Sequence, residues 1–124
     1  MLASLNAERA AVGVAPLAAC GSLNQAAQAH SADQAAHNKM SHTGSNGSTP
    51  WARMHQAGYY YNAAAENVAA GQRSVTSVMS AWMNSSGHRS NIRNSAYAHV
   101  GVGLAYSAGG TPYWTQKFGR GGAC

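Results

Sequence analysis

Glu66 is the residue of this chain whose surroundings most strongly suggest chemistry. It lies in a segment of small residues, positions 63–71, and is one of only three acidic residues in the sequence. An ionised carboxylate among apolar side chains must accept hydrogen bonds or meet a cation, because otherwise its pKa rises until it is neutral. We therefore expect other parts of the chain to supply partners for Glu66, and His42 and His88 are the candidates.

Two of the six histidines occupy positions suited to a functional role. His42 lies in a loop rich in Gly, Ser and Asn, and His88 directly follows Ser86-Gly87, where a helix is expected to break. Functional side chains are often held on such loops and element ends. The other four form no motif and are expected to be packed, exposed or without a local partner: His30, His37, His55 and His99.

No short motif for metal binding or for a nucleophile joins these residues. The patterns H-x-x-x-H, H-E-x-x-H and C-x-x-C are absent, and no G-x-S-x-G surrounds the serines near His42 or His88. Spacing alone therefore does not establish a metal site, and it disfavours a serine hydrolase.

Charge is sparse along the chain. The formal charge is +5, but only 9% of the residues are charged and the basic ones are scattered. With no basic run, a nucleic-acid partner is not expected. No apolar stretch approaches the roughly 20 residues of a membrane-spanning helix, so no transmembrane segment is expected. The length of 124 residues predicts one domain, 1–124.

The two cysteines, Cys20 and Cys124, are expected to form a disulfide. A cysteine at the last position adds little packing, whereas a bridge would pin the tail. Closing a loop of order 100 residues contributes up to about 4–5 kcal/mol in the chain-entropy model. A disulfide implies an oxidising compartment, so we expect a secreted or periplasmic protein. Pairing of Cys124 with another molecule and two free thiols are the alternatives.

Apolar periodicity, capping residues and turn residues predict helices first and strands mostly later. Ser22, Thr49 and Ser74 are candidate helix N-caps. Helices are expected near 2–12, 22–39, 50–57, 75–82 and 88–92, and strands near 64–69, 100–106 and 111–118. This order predicts an α+β fold in which helices cover the sheet.

The aromatic residues are expected to divide between core and surface. Trp51, Trp82, Trp114 and Phe118 are interpreted as core. The run Tyr59-Tyr60-Tyr61 cannot point inward throughout if it is extended, so one or two of its rings should be exposed.

Several segments, taken in order, resemble the CAP superfamily, named after cysteine-rich secretory proteins, antigen 5 and pathogenesis-related 1. It is also called the SCP domain. The resembling segments are Ala65-Glu66-Asn67-Val68-Ala69-Ala70-Gly71-Gln72, residues 82–92, Gly101-Val102-Gly103 and residues 113–119. Residues 5–9, 16–17, 30–33 and 41–42 resemble its compact bacterial branch.

The resemblance implies a three-layer α-β-α sandwich with a central, mostly antiparallel sheet. It also implies a secreted location and a cleft carrying two histidines and two glutamates. When the motifs of the family are matched to this sequence one by one, the cleft residues that they imply are His42, Glu66 and His88. The position of the second glutamate is occupied by Ser85, so the expected cleft is a reduced one.

The three cleft residues are chemically compatible with zinc. His42 and His88 are the expected metal ligands, at about 2.0–2.1 Å from Zn²⁺. Glu66 would then orient a ligand or act as a base toward metal-bound water. Catalytic zinc sites normally have three protein ligands, so binding by two histidines is expected to be weak and optional. In the metal-free alternative, Glu66 accepts hydrogen bonds from one or both histidines.

The expected function is that of a secreted, monomeric binding module for an extracellular lipid, glycan, protein or cell-envelope component. The alternative is a metal-dependent hydrolase in which Glu66 acts on a zinc-bound water held by His42 and His88. In a third, structural interpretation, the polar cleft only holds loops together. A shared fold names neither the ligand nor a reaction.

Overall fold

The computed structural model describes the whole chain, residues 1–124. Its helices are α1 (Leu2–Ala10), α2 (Gly21–His37), α3 (Pro50–Gln56), α4 (Val75–Met83) and α5 (Ser86–Arg93), and its strands are β1 (Ala18–Ala19), β2 (Ala63–Ala70), β3 (His99–Tyr106) and β4 (Pro112–Arg120). The expected helices and strands are all present, with small shifts at their ends. Strand β1 was not predicted, because two residues are too few to show a pattern.

The strands form one sheet in the order β1-β3-β4-β2. Strand β4 pairs antiparallel with both β3 and β2, and only β1 runs parallel to its neighbour β3. Helices pack on both faces of this sheet. The predicted α-β-α sandwich with a mostly antiparallel sheet is therefore confirmed. None of the helices is both long and apolar enough to span a bilayer.

One face of the sheet is covered by α1, α4 and α5 and holds the larger hydrophobic cluster. Trp82 of α4 is buried there, and its indole Nε1 donates a hydrogen bond to the carbonyl of Val68 at 3.1 Å. The buried members of this cluster are Leu5, Leu17, Ala65, Ala69, Val78, Met79, Trp82, Ile92, Val100, Trp114 and Phe118.

The opposite face is covered by α2, and two glycines of β3 allow the helix to lie unusually close to the strand. A β-carbon at Gly101 would overlap the backbone of Leu23, and one at Gly103 would overlap the backbone of Ala27. Side chains at these two positions would therefore push α2 off the sheet.

Side chains of α2 also take the place of a further strand beside β3. The backbone N–H of Val102 donates to Asn24 Oδ1, and that of Leu104 donates to Gln28 Oε1, both at 3.0 Å. Gln28 Nε2 donates in turn to the carbonyl of Leu104 at 2.9 Å. An open strand edge can pair with other chains, so these two amides satisfy and protect this part of β3.

Two of the three predicted helix caps are confirmed. Thr49 Oγ1 accepts from the N–H of Ala52 at 3.1 Å, and Ser74 Oγ accepts from that of Ser77 at 3.0 Å. The cap predicted at Ser22 is wrong, because α2 begins at Gly21 and its N-cap residue is Cys20, two residues before Ser22.

The C-terminal tail is fastened to the start of α2. Cys20 and Cys124 form a disulfide, which confirms the predicted pairing within one chain. The hydroxyl of Ser22 donates to the carbonyl of Ala123 at 2.7 Å instead of capping the helix. The residues around both cysteines thus act together in holding the tail.

The close approach of α2 to β3 predicts a strong effect of Gly103→Ala on stability. The added β-carbon must displace the backbone of α2, and overpacking of this kind typically costs about 1–3 kcal/mol. We expect a lower free energy of unfolding in urea, with an unchanged m-value.

Gly109→Ala is the matched control for this change. Gly109 lies in the turn between β3 and β4, where the nearest atom to an added β-carbon is 3.9 Å away. We expect it to alter stability by less than about 0.5 kcal/mol. Equal effects of the two substitutions would contradict the packing argument.

Candidate functional site

Glu66 lies at the centre of four basic side chains. Its side chain is 1% exposed, and its Oε2 contacts Lys117 Nζ together with Arg53 Nη2 at 3.2 Å. Its Oε1 lies 2.9 Å from His42 Nδ1 and 3.9 Å from His30 Nε2. The buried carboxylate therefore has the cationic and hydrogen-bonding partners expected for it, and one of them is the predicted His42.

Lys117 meets Glu66 because the two residues are directly opposite in the register of β4 and β2. Both side chains point toward the face covered by α2, and the Lys117 side chain is fully buried. Its ammonium group also lies 3.4 Å from the carbonyl of Pro50, at the start of α3. Lysine and glutamate are rarely buried to this extent unless they are paired, so the ion pair explains why both Glu66 and Lys117 can be buried.

Arg53 of α3 connects Glu66 to the loop that carries His42. Its Nη2 donates to the carbonyl of His42 at 2.7 Å as well as to Glu66, and its Nη1 donates to the carbonyl of Ser48 at 2.9 Å. The guanidinium therefore fixes both ends of this loop against the buried carboxylate. The loop was expected to aim His42, and Arg53 is the residue that holds it in place.

His30 of α2 is buried beside this cluster, and its tautomer follows from its contacts. Its Nε2 lies 2.6 Å from the carbonyl of Ser41, which can only accept, so Nε2 carries the proton. Burial lowers the pKa of His30, and the charge of Glu66 offsets this effect only in part. The imidazole is therefore neutral near pH 7, with an unprotonated Nδ1.

The two basic side chains beside one carboxylate, Lys117 and Arg53, set the electrostatics of the cluster. Burial would raise the pKa of Glu66, but the charge of Lys117 and the hydrogen bonds from Lys117 and His42 hold it below its ordinary value. Burial lowers the pKa of Lys117 to about 8; attraction to Glu66 opposes this shift, and repulsion by Arg53 adds to it. Glu66 is therefore ionised at neutral pH.

His88 of α5 is attached to β2 from the opposite side of the strand. Asn67 Nδ2 donates to the carbonyl of His88 at 3.2 Å, and Asn91 Nδ2 donates to Asn67 Oδ1 at 2.9 Å. Burial lowers the pKa of the His88 imidazole, and repulsion by His42 lowers it further. No hydrogen bond or ion pair joins His88 to Glu66, so of the two histidines predicted for the cleft only His42 contacts this carboxylate.

The potential metal ligands are arranged in two places. His42 is 54% exposed and uses Nδ1 toward Glu66, which leaves Nε2 available to a ligand. Ser85, at the position expected for the second glutamate, is the N-cap residue of α5. Elsewhere, Cys20, His99 and Cys124 bring three ligand atoms within 4.8 Å, but the two sulfurs are joined in the disulfide and offer no thiolate. Metal binding by His42 and His88 stays a prediction.

The aromatic residues near α3 differ from expectation at one position. Trp51 was predicted to be core, but it is 42% exposed and packs on Tyr61, with ring centroids 6.1 Å apart. The short helix α3 turns its buried side toward Glu66, so Trp51 falls on the outer side. As expected, the tyrosine run is divided: Tyr59 is buried and Tyr60 is 69% exposed.

Three members of the cluster were missed by sequence reasoning: His30, Arg53 and Lys117. Lys117 left a usable signal, because it is the only charged residue between Pro112 and Phe118 in a strand that is otherwise uncharged there. A lone acid in one buried strand and a lone base in another predict each other. His30 and Arg53 left no such signal, since each lies on a helix where exposure was equally plausible.

The chain belongs to the Cysteine-rich secretory protein family, CAP, whose family model it matches over residues 2–118. This match confirms the resemblance drawn from the motifs around Glu66 and His88.

Two curated relatives come from Bacillus subtilis (strain 168). The chain is 40% identical over 113 residues to Uncharacterized protein YkwD, a match that covers 91% of this chain and 43% of YkwD. It is 32% identical over 89 residues to Uncharacterized membrane protein YlbC, covering 72% of this chain and 24% of YlbC. The chain thus spans less than half the length of either relative.

Solved structures with the same fold come from several bacteria. An extracellular protein containing an SCP domain from Bacillus anthracis str. Ames has a TM-score of 0.87 at 28% identity, over 94% of this chain and 38% of its own. A cysteine-rich secretory protein from Staphylococcus aureus has a TM-score of 0.73 at 25% identity, and the match covers 97% of this chain and 38% of the other. An outer surface protein from Borrelia burgdorferi shares the fold, with a TM-score of 0.85 at 21% identity, and the match covers 95% of this chain and 87% of the other.

The buried ion pair predicts that single changes are far more harmful than a paired change. Glu66→Gln leaves two buried cations without a carboxylate, and breaking a buried pair from one side costs about 3–5 kcal/mol. The double variant Glu66→Gln with Lys117→Met removes one of those cations and should recover part of the loss. Urea unfolding of the wild type, both single variants and the double variant measures this coupling.

Glu8→Gln provides the control for removing a carboxylate. Glu8 pairs with Arg93 at 3.4 Å, but its side chain is 38% exposed, and such surface pairs contribute about 0–1 kcal/mol. If Glu66→Gln is no more harmful than Glu8→Gln, the central role of the ion pair is wrong.

The buried histidine predicts a loss of stability on acidification. Because the pKa of His30 is lowered in the folded chain, the unfolded chain binds protons more readily just below the ordinary value of 6.5. Stability therefore rises with pH through this range and falls as the pH drops below it. We expect the free energy of unfolding between about pH 5 and pH 7.5 to vary less in His30→Gln, whose amide can still donate to the Ser41 carbonyl. Identical pH profiles would contradict this assignment.

Proposed function

We propose that this CAP domain is an extracytoplasmic binding module whose half-exposed His42, together with His88, takes a divalent metal weakly. The ligand class proposed for the cleft is an extracellular lipid, glycan or other cell-envelope component. The observation that carries the proposal is the 2.9 Å contact between His42 Nδ1 and the buried Glu66 carboxylate. It presents an oriented imidazole to solvent.

The Glu66–His42 contact supports metal binding for a chemical reason. Imidazoles that bind metals commonly donate their other ring N–H to a carboxylate, which fixes the ring and raises its basicity. Glu66 would serve His42 in this way and would not itself be a ligand. His88, whose pKa is lowered by burial, would be neutral and able to bind. Zinc bound at these two imidazoles would act as a Lewis acid.

The same contacts argue against the alternative hydrolase. A general base needs a free oxygen and a pKa near the working pH. Both oxygens of Glu66 are engaged, its pKa is lowered by Lys117, and its side chain is 1% exposed. Glu66 is better suited to orienting His42 than to removing a proton from water.

A location outside the cytoplasm is supported by two kinds of observation. The Cys20–Cys124 disulfide is the kind of bond that persists in oxidising compartments. The structural relative from Bacillus anthracis is described as extracellular. We propose a secreted or periplasmic location on these grounds.

Titration of Zn²⁺ into the metal-free protein, followed by calorimetry, tests the proposal. We expect weak, saturable binding by the wild type and loss of that binding in His42→Ala and in His88→Ala. The Glu66→Gln/Lys117→Met double variant should bind zinc about 10–100-fold more weakly, because His42 loses its orienting partner.

His55→Ala is the control, since His55 is exposed on α3 and stacks on Tyr60 and Tyr61, away from Glu66. It should bind zinc as the wild type does. The metal proposal fails if the wild type binds no more zinc than a His42→Ala/His88→Ala double variant.

A further inference from the structure

The disulfide lies beside a histidine that takes no part in the Glu66 cluster. Cys20 precedes α2, Cys124 lies on the C-terminal tail, and His99 is the first residue of β3. One ring nitrogen of His99 and the two sulfurs all lie within 4.8 Å of one another. Ligand atoms around a tetrahedral zinc ion are about 3.5–3.8 Å apart, because the Zn–S and Zn–N bonds are about 2.3 Å and 2.0–2.1 Å long. The imidazole is therefore already close to the position of a zinc ligand.

The two sulfurs would need only a small movement to become ligands as well. A disulfide holds its sulfurs about 2.05 Å apart, so they must separate by about 1.7 Å once their bond is broken. Cys20 is fully buried, whereas Cys124 is exposed and His99 is partly exposed. Separation therefore moves the exposed Cys124, and the ion enters from the side of the tail, into the gap between the sulfurs.

His99 is held in place without help from the disulfide. It pairs with Gly119 in the register of β3 and β4. The hydroxyl of the buried Tyr59 lies 2.8 Å from His99 Nδ1, and the two rings meet edge to face with centroids 5.8 Å apart. The hydroxyl oxygen can accept the Nδ1 proton, which leaves Nε2 for a metal. Metal-binding imidazoles are commonly oriented through their other ring nitrogen in this way.

The C-terminal tail also has contacts that do not depend on the disulfide. The hydroxyl of Ser22 donates to the carbonyl of Ala123 at 2.7 Å. Gly122 packs directly on the ring of Tyr59, where an added β-carbon would come within 2.6 Å of ring atoms. These contacts keep Cys124 close to the other two ligands when the S–S bond is broken.

We propose that Cys20, His99 and Cys124 form a zinc site that is closed by the disulfide and opened by a dithiol reductant. The dithiol passes two electrons and two protons to the Cys20–Cys124 bond, which breaks to give two thiols, while the dithiol itself becomes a disulfide. Zn²⁺ then binds both sulfurs as thiolates, with release of their two protons, and also binds the His99 imidazole. Water fills the fourth position.

Thiolates are soft ligands that favour zinc, so this site binds the ion more tightly than two imidazoles alone. The Zn–S bonds take over from the disulfide in fastening the tail to the start of α2. The site is separate from His42 and His88 and does not rest on metal binding by them.

Titration of Co²⁺, a spectroscopic substitute for Zn²⁺, tests this site in a His42→Ala/His88→Ala variant, which lacks the histidines proposed to bind metal in the cleft. The variant is compared in its disulfide form and after reduction with a phosphine under nitrogen. We expect the reduced form to bind one Co²⁺ with thiolate-to-metal charge-transfer absorption, and to bind Zn²⁺ at least about 100-fold more tightly than the disulfide form. Absence of the charge-transfer absorption, or equal zinc binding by the two forms, would overturn the proposal.

His99→Ala is the discriminating change in this background, and His55→Ala on the exposed side of α3 is its matched control. We expect His99→Ala to weaken zinc binding to the reduced form by at least about 10-fold and His55→Ala to leave it unchanged. Tyr59→Phe keeps the ring and removes the hydroxyl, so it should weaken binding by about 10-fold. Equal binding by the two histidine variants would mean that the thiolates alone hold the ion, and the proposed site would be wrong.

Thermal unfolding keeps the test decisive if reduction loosens the chain. Because zinc binds the folded chain preferentially, we expect it to raise the Tm of the reduced form, or to refold that form, and to leave the Tm of the disulfide form unchanged. A reduced chain that zinc neither refolds nor stabilises would contradict the proposal.

Discussion

Glu66 on β2 and Lys117 on β4 face each other from adjacent strands, out of reach of water. Two charges in such a place gain little net stability over apolar residues, yet either one alone would be very costly. The pair therefore acts chiefly as a constraint on register. A slip of β2 by one residue would turn Glu66 into the hydrophobic cluster under Trp82, which no carboxylate could tolerate.

The neighbouring residue shows how one strand serves both layers of the sandwich. Successive side chains of a strand point to opposite faces. On the face covered by α2, Glu66 accepts a hydrogen bond from Arg53, and Arg53 in turn donates to the carbonyl of His42 and so holds the His42 loop. Asn67 holds the carbonyl of His88 on the other face and also contacts Gln116. The dipeptide Glu66-Asn67 thus positions both predicted cleft histidines: His42 with the help of Arg53 on α3, and His88 through the backbone of α5.

Family membership defines the domain, and its chemistry depends on what surrounds Glu66. A carboxylate that accepts from Lys117, Arg53 and His42 has no free oxygen with which to do chemistry of its own. It can only position others. This is consistent with a domain that binds a ligand, and the groups available to that ligand are those that the carboxylate holds in place. These are His42, which is half exposed, and Arg53, which is buried.

Much of the fold was predictable because its signals are local. Apolar spacing marked the helices, Thr49 and Ser74 marked two of their starts, and the terminal position of Cys124 indicated the disulfide. Ser22 and Trp51 were misread because a cap and a core position depend on what packs nearby: the tail takes up the Ser22 hydroxyl, and α3 turns Trp51 outward. Gly101 and Gly103 belong to a motif that resembles the family, but their role becomes visible only in the structure, where the backbone of α2 packs directly against them.

For the site, the sequence by itself determined that Glu66 needed partners, because a lone carboxylate among alanines cannot stay ionised unaided. It also indicated His42, which lies in a loop able to reach the carboxylate. Only the tertiary structure decided that Lys117, Arg53 and His30 complete the cluster and that His88 does not touch Glu66. The physical reason is that these contacts join residues far apart in the chain, through strand register and helix rotation. Of the three, Lys117 alone stands out locally, as the one charged residue of its strand segment, and even that pattern does not show which carboxylate it meets.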